Sequence, residues 1–128
     1  MRVLVVDVAN VVGSRPDGWW RDRPGAARRL YDALVTADLP ARLEVAEVVL
    51  VLEGAARRGV AEGLVDGVRT THAPGSGDDA IVAQAVTGAG AGAGVTVVTA
   101  DRGLRSRVEA AGGRCERPSW LLGLLRQE

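Results

Sequence analysis

The sequence predicts an α/β fold: a three-layer α/β/α sandwich with a mostly parallel central sheet. Short β-branched apolar runs alternate along the chain with segments whose apolar residues recur every three or four positions, which are the periods of buried strands and amphipathic helices. The chain has 128 residues, 47% of them apolar, which suits one domain and is too few for two substantial cores. We therefore expect residues 1–128 to form one domain whose right-handed crossovers place every strand's carboxyl end at one edge of the sheet.

The first strand and the first helix are indicated by composition. Residues 3–6 form an apolar, β-branched run that ends at Asp7, as is typical of a parallel strand buried on both faces. A polar loop is expected next. Pro24 suits the first turn of a helix whose apolar residues continue toward Leu39, and Pro40 is expected to end that helix.

The middle of the chain predicts two further strands. The first covers residues 48–52 and is closed by Glu53 and a glycine. Residues 57–66 are ambiguous and allow a short helix broken by glycines. Residues 68–72 suit a short strand, and a Gly-rich loop follows it over residues 73–77.

The last third continues the alternation of helices and strands. We expect first a helix opened by Asp78 and Asp79, then a flexible Gly-Ala connection over 88–94 and a strand over 95–99. A helix over 104–111, capped by Gly112-Gly113, is expected next. An edge strand near Cys115 and a helix with apolar residues at 120–125 end the chain.

Acidic side chains follow successive predicted strands. They are Asp7, Glu53, Asp78, Asp79 and Asp101. Ligands of open α/β sheets bind at the carboxyl edge, where the strand order reverses. Carboxylates gathered there repel one another unless a cation is present, and oxygen ligands without His or Cys favour Mg²⁺ or Mn²⁺. For a single acid the alternative is a helix cap, which would account for Asp78 and Asp101.

Asn10 is the only asparagine in the chain and lies three residues after Asp7. Asparagine is common in loops that leave a strand, so a turn is one interpretation. The other is that its amide orients a water molecule or donates a hydrogen bond to a phosphate.

Several function classes are excluded by residues that the chain lacks. It contains no lysine, which rules out a Walker-type phosphate loop and Schiff-base chemistry. A D-x-D phosphotransferase would need an acid at Ala9, and a receiver domain would need a lysine after a late strand. The single Cys115 can form no internal disulfide, no signal pattern precedes the first strand, and no apolar run approaches a membrane span, so we expect a cytoplasmic protein with no membrane partner.

Four blocks of the sequence occur in the order known from one protein family: V-D-V-A-N-V-V (6–12), L-E-G (52–54), G-S-G-D-D-A-I-V (75–82) and V-T-A-D-R-G-L (98–104). Together they resemble the PIN/NYN nuclease superfamily, most closely its bacterial YacP-like branch. The resemblance implies a PIN-like, Rossmann-like topology, one or two Mg²⁺ ions and cleavage of RNA. By matching position it also implies that Asp7, Asp78, Asp79 and Asp101 are metal-site residues supported by Asn10 and Thr99. Relatives more typically have Asp at the position of Glu53, so the oxygens there are displaced by one methylene.

Basic and aromatic residues near the strand ends are candidates for binding nucleic acid. They are Arg15, Trp19, Trp20, Arg57, Arg58 and Arg102, together with Asn10 and Thr99. Arginine holds phosphates bidentately and tryptophan stacks on unpaired bases. The alternative is that one tryptophan packs in the core and the arginines are solvated. The net charge is zero, but it combines basic ends (+3 over 1–30 and +3 over 102–128) with an acidic middle (−6 over 31–101).

The leading hypothesis is a Mg²⁺- or Mn²⁺-dependent ribonuclease that hydrolyses phosphodiesters by in-line attack of an activated water, with Asp7, Asn10, Asp78, Asp79 and Asp101 as catalytic residues. The expected partner is RNA, single-stranded or structured, and a homodimer is left open. Two other hypotheses stand beside it. One is a non-catalytic module that binds RNA or protein on the same fold, and the other is a phosphohydrolase of small nucleotides.

Overall fold

The computed structural model describes residues 2–126, and its centre is a six-stranded sheet. The strands are β1 (Arg2–Asp7), β2 (Glu47–Leu52), β3 (Gly63–Val65), β4 (Val68–His72), β5 (Gly94–Val98) and β6 (Arg114–Glu116). Their spatial order is β3-β4-β2-β1-β5-β6. Neighbouring strands are parallel except for β3 and β4, which are antiparallel. The predicted α/β fold with a mostly parallel sheet is confirmed.

Helices cover both faces of the sheet. They are α1 (Val8–Gly13), α2 (Arg23–Thr36), α3 (Leu39–Leu43), α4 (Gly77–Gly90), α5 (Arg102–Ala110) and α6 (Pro118–Leu125), with 3-10 turns at Trp19–Arg21 and Gly54–Gly59. Residues of α1, α2, α3 and α6 share one apolar cluster, and those of α4 and α5 share the other. Among residues 2–126, none of these helices is long and apolar enough to cross a membrane.

The central strands are buried on both sides because successive side chains point to opposite faces. In β1, Leu4 and Val6 pack into the cluster with α2 and α6, whereas Val5 packs into the cluster with α4 and α5. β2 alternates in the same way. This double burial explains why both strands are uninterrupted apolar runs in the sequence.

The strand order reverses at β1. The chain leaves β1 toward β2 on one side and returns to its other side at β5, with Val6 aligned to Leu50 and to Val98. Such a reversal opens a crevice between the carboxyl ends of the two strands, where ligands of these folds bind. Asp7 ends β1, and Thr99 directly follows β5.

Two expectations for the first half of the chain were wrong. The segment after β1 is helix α1, not a polar loop, since Asp7 caps its first turn and Val8 and Val11 are buried one turn apart. Helix α2 ends at Thr36, and Pro40 lies in the first turn of α3, where its missing N–H needs no partner.

The ambiguous segment 57–66 contains a strand, not a short helix. A 3-10 turn leads into β3, which pairs with β4 through a hairpin whose central residues, Asp66 (φ 49°) and Gly67 (φ 79°), both have positive φ. That is the pattern of a tight two-residue hairpin turn.

The Gly-Ala segment 88–94 was also assigned wrongly as a flexible connection. Helix α4 continues to Gly90, and Gly92 (φ 77°) reverses the chain into β5, which begins at Gly94. Strand β5 therefore covers Gly94–Val98, one residue earlier than predicted.

Candidate carboxylate site

Asp7 is the buried centre of the candidate site. Its side chain is 7% exposed at the end of β1. Its Oδ2 accepts a hydrogen bond of 2.8 Å from the Thr99 hydroxyl, and its Oδ1 accepts one of 3.3 Å from the Asn10 backbone N–H. No arginine among residues 2–126 forms an ion pair with it. A carboxylate is thus held in place at the strand reversal by neutral donors alone.

The pKa of Asp7 lies above its ordinary value of about 3.8. Burial is the main cause, because it penalises the charged form. The hydrogen bonds from Thr99 and Asn10 act in the opposite direction, and the charges of Asp78 and Glu53 raise the pKa further. Asp7 is therefore close enough to both acids for their charges to oppose its ionisation.

Thr99 and Asn10 tie the two central strand ends together. Thr99 is fully buried, and its hydroxyl donates to Asp7 and accepts from the Asp101 backbone N–H at 3.2 Å. The Asn10 side-chain Oδ1 accepts from the Ala100 N–H at 2.8 Å. Both residues hold the segment after β5 against the end of β1.

Asp101 caps helix α5, as the capping interpretation predicts. Its Oδ1 accepts the Leu104 N–H at 2.9 Å, and its side chain is otherwise exposed. Capping uses one oxygen, so it does not exclude a second role. The charge of Asp101 is felt at Asp78, whose pKa is raised first by burial and then by Asp101 and Glu53.

Glu53 connects the end of β2 to the start of α4. Its Oε2 accepts the Gly77 N–H at 2.8 Å, where the preceding Ser76 provides no side-chain cap. A Cβ at Gly77 would lie 3.1 Å from the carboxyl carbon of Glu53, so the close approach favours glycine there. The acid thus satisfies a helix N-terminus from a neighbouring strand.

Asp79 faces outward, unlike Asp78. Its Oδ1 forms a 2.9 Å ion pair with Arg107 of α5, and the two side chains are 73% and 48% exposed. Arg107 also lowers the pKa of Asp78, against the larger effects of burial and neighbouring acids. The two acids that open α4 therefore have different surroundings.

The five predicted acids lie at one edge of the sheet without forming a compact cluster. Across residues 2–126, no three Asp, Glu, His or Cys side chains are arranged so that they could hold a metal ion. Electrostatic coupling nevertheless joins Asp7, Glu53 and Asp78, and joins Asp78 to Asp101. The donors are all oxygens, which is the chemistry of Mg²⁺ and Mn²⁺ sites.

The two tryptophans after α1 belong to neither apolar core cluster, and Trp19 is half-buried. Trp20 is 55% exposed and meets Trp19 edge to face, with ring centroids 6.0 Å apart. The guanidinium of Arg21 lies 5.8 Å from the Trp20 ring centroid, and that of Arg23 lies 5.3 Å from that of Trp19. This segment offers flat surfaces flanked by cations.

The predicted arginines are spread over more than one surface. Arg57 and Arg58 line an open depression of about 620 Å³ with His72 and Gly54. Arg102 is exposed at the start of α5, beside Asp101. Arg15 instead lines a small crevice with Asp17 and Arg29. The Nε2 atom of His72 lies 2.7 Å from the Val60 carbonyl oxygen.

A pocket of about 440 Å³ beside the carboxylates was missed by sequence reasoning. It lies between α1, the 3-10 turn at Trp19–Arg21 (the Trp19 segment) and the corner formed by Glu53 and Gly54. The sequence signal for this pocket is the helical spacing of Val8, Ala9 and Val12, which lie together on the face of α1 that forms one wall of the pocket. Because that segment was assigned as a loop, its helical face was not recognised.

The comparisons with known proteins concern the fold. No protein-family model matches this chain, and neither does any curated protein sequence. The crystal structure of Rae1 (YacP) from Bacillus subtilis is similar, with a TM-score of 0.78 and 17% identity over 99% of this chain and 75% of that one. A single-substitution variant of the same protein gives a TM-score of 0.68 and 18% identity over 98% and 74%. These similarities establish the fold.

Proposed function

We propose that this chain belongs to the YacP-like branch of the PIN/NYN superfamily and is a Mg²⁺- or Mn²⁺-dependent ribonuclease. The observation that carries the proposal is Asp7, a buried carboxylate at the strand reversal whose ionisation is opposed by Asp78 and Glu53 and balanced by no arginine among residues 2–126. The Rae1-like fold and the four sequence blocks support the assignment.

The residues that would hold the ion are Asp7, Asp78 and Asp101, with Asp79 and Glu53 beside them. Their oxygens fit a hard divalent cation. The pKa values of Asp7 and Asp78 are raised mainly by burial and further by the charges of neighbouring acids, and a cation would relieve that repulsion. Since the described arrangement is not a finished three-ligand site, binding requires these side chains to draw together. A bound ion supplies a water of lowered pKa and neutralises charge on the phosphate.

The chain's own residues orient this site. Thr99 holds one oxygen of Asp7, which leaves the carboxylate with a defined direction. Asn10 is a positioning residue here, because its side-chain oxygen is bonded to the Ala100 N–H and anchors the loop that carries Asp101.

RNA is the proposed partner because arginines outnumber acids once the five site acids are set aside. Apart from these five acids, the chain has eleven acidic residues against sixteen arginines. Arg57 and Arg58 would contact backbone phosphates, and the exposed Trp20 offers a stacking surface for an unpaired base.

The test is cleavage of a labelled single-stranded RNA by purified protein in Mg²⁺, Mn²⁺ or EDTA. Wild type should cleave only with the metal, and Asp7→Asn and Asp78→Asn should lower the rate about 100-fold or more. The matched control is Asp66→Asn, since Asp66 is exposed in the β3–β4 turn, where asparagine suits the positive φ. Cleavage by Asp7→Asn at the wild-type rate would refute the site.

Two other outcomes would point to the competing hypotheses. RNA binding that persists in EDTA, with no cleavage in any divalent cation, would indicate a non-catalytic module. Turnover of mononucleotides without RNA cleavage would indicate a phosphohydrolase.

A further inference from the structure

The pocket beside Glu53 has the size and lining of a ligand site. Its volume of about 440 Å³ falls within the range of about 300–1,000 Å³ typical of small-molecule pockets. The residues that matter are Val8, Ala9, Val12, Trp19, Arg23 and Glu53.

The lining favours a flat, neutral group with a polar edge. Val8, Ala9 and Val12 form an apolar wall on α1. The indole of Trp19 and the guanidinium of Arg23 are both flat groups that stack on aromatic rings. The carboxylate of Glu53 repels a phosphate, so the anionic part of a nucleotide is not expected inside.

Glu53 also offers one free hydrogen-bond acceptor. Its Oε2 is bound by the Gly77 N–H, whereas its Oε1 has no hydrogen-bond partner among residues 2–126. A carboxylate oxygen only accepts, so it selects ligands that carry an N–H donor. The exocyclic amino groups of adenine, cytosine and guanine provide such a donor, whereas uracil has no exocyclic amino group and only a ring N–H between two carbonyls.

We propose that this pocket binds one unpaired nucleobase of the substrate and that Glu53 favours bases with an exocyclic amino group. The inference rests on the proposed function and adds the substrate's form: the bound nucleotide is unstacked and unpaired, because a base enclosed between α1, Trp19 and Glu53 has left its stack and its partner. The pocket and the basic depression share Gly54 as a lining residue, so the base enters one while its backbone crosses toward Arg57 and Arg58.

The direct test is a titration of this chain with AMP and with UMP in EDTA. Binding is monitored through the NMR signals of the indole N–H groups. AMP should shift the Trp19 signal and bind about tenfold more tightly than UMP. Ala9 lies at an exposed position of α1, and Ala9→Leu places a larger side chain in the pocket. The variant should bind AMP about tenfold more weakly than wild type. Ala110→Leu, at the exposed far end of α5, is the matched control and should bind AMP like wild type. Equal AMP binding by wild type and Ala9→Leu overturns the proposal.

Glu53→Gln tests the selection of the base. Its side-chain oxygen still accepts the Gly77 N–H, while the amide group presents a donor in place of the free acceptor. The ratio of AMP to UMP affinity should therefore fall about tenfold. An unchanged ratio overturns the role of Glu53.

These measurements are independent of cleavage. If the pocket binds AMP as stated but wild type cleaves no RNA, the nuclease assignment fails and the pocket stands. If wild type cleaves RNA while neither Ala9→Leu nor Glu53→Gln alters nucleotide binding, the pocket fails and the nuclease assignment stands.

Discussion

Thr99→Val should destabilise the protein in a way that depends on pH. The replacement keeps the shape of a fully buried side chain and removes only its hydroxyl. That hydroxyl donates 2.8 Å to Asp7 and accepts from the Asp101 N–H at 3.2 Å. A hydrogen bond to a charged group contributes about 1.5–3 kcal/mol and a neutral one about 1 kcal/mol. Together these predict a loss of about 2.5–4 kcal/mol in the free energy of unfolding at pH 7.

The sign of the pH dependence follows from Asp7. The Thr99 hydrogen bond lowers the pKa of Asp7, so its removal raises that pKa further above 3.8. The difference between wild type and Thr99→Val is therefore full at a pH above both folded-state pKa values. It shrinks as the pH falls through them, because a protonated Asp7 no longer forms a charge-assisted bond.

Urea unfolding at pH 7 and at the lowest pH where both proteins remain folded measures this difference. Thr99→Ser is the control, because it retains the hydroxyl and should lose only about 1 kcal/mol for the buried methyl, equally at both pH values. A difference for Thr99→Val that stays constant or widens at low pH would refute the charged hydrogen bond.

Three further predictions concern other parts of the molecule. Asp7→Asn should raise the free energy of unfolding at pH 7 by about 1 kcal/mol, measured by urea unfolding. Burial raises the pKa of Asp7, so its ionisation opposes folding above that pKa. A gain in stability that persists below the pKa would contradict this reasoning. Arg107→Met should raise the pKa of Asp78 and move the proposed metal-dependent cleavage to higher pH. The midpoint of thermal unfolding should change little, because the ion pair of Arg107 with Asp79 is exposed. An unmoved pH profile would count against this prediction. Gly67→Ala should lower the free energy of unfolding by about 2 kcal/mol or more, because φ is 79° and the new Cβ would lie 2.7 Å from the ring of Pro40 in α3. Gly92→Ala, with φ 77° and open space around the new Cβ, should lower it less in the same urea assay.

The sequence predicted the central strands correctly because burial on both faces leaves a distinct signature. Residues 3–6 and 48–52 lie within β1 and β2, where nearly every side chain must be apolar. Helix α1 and strand β3 lack such a signature. α1 is a six-residue helix with two buried valines, and the side chains of β3 are all exposed, so neither shows a clear period.

The position of the acids could also be predicted, but their surroundings could not. Parallel strands put their carboxyl ends at one edge, so Asp7, Glu53 and Asp101 had to lie at the same edge of the sheet. Which acid is buried depends on contacts between distant segments: Thr99 reaches Asp7 across 92 positions in the chain, and Arg107 pairs with Asp79 across 28.

By itself, the sequence determined the α/β architecture and the edge where the acids gather, because hydrophobic period and strand direction are local properties repeated along the chain. Only the tertiary structure decided that Asp7 is buried against Thr99, that Glu53 caps α4, and that α1 and the Trp19 segment enclose a pocket beside it. Those features arise where segments far apart in the chain pack together, and such contacts leave no periodic pattern in the residues that form them.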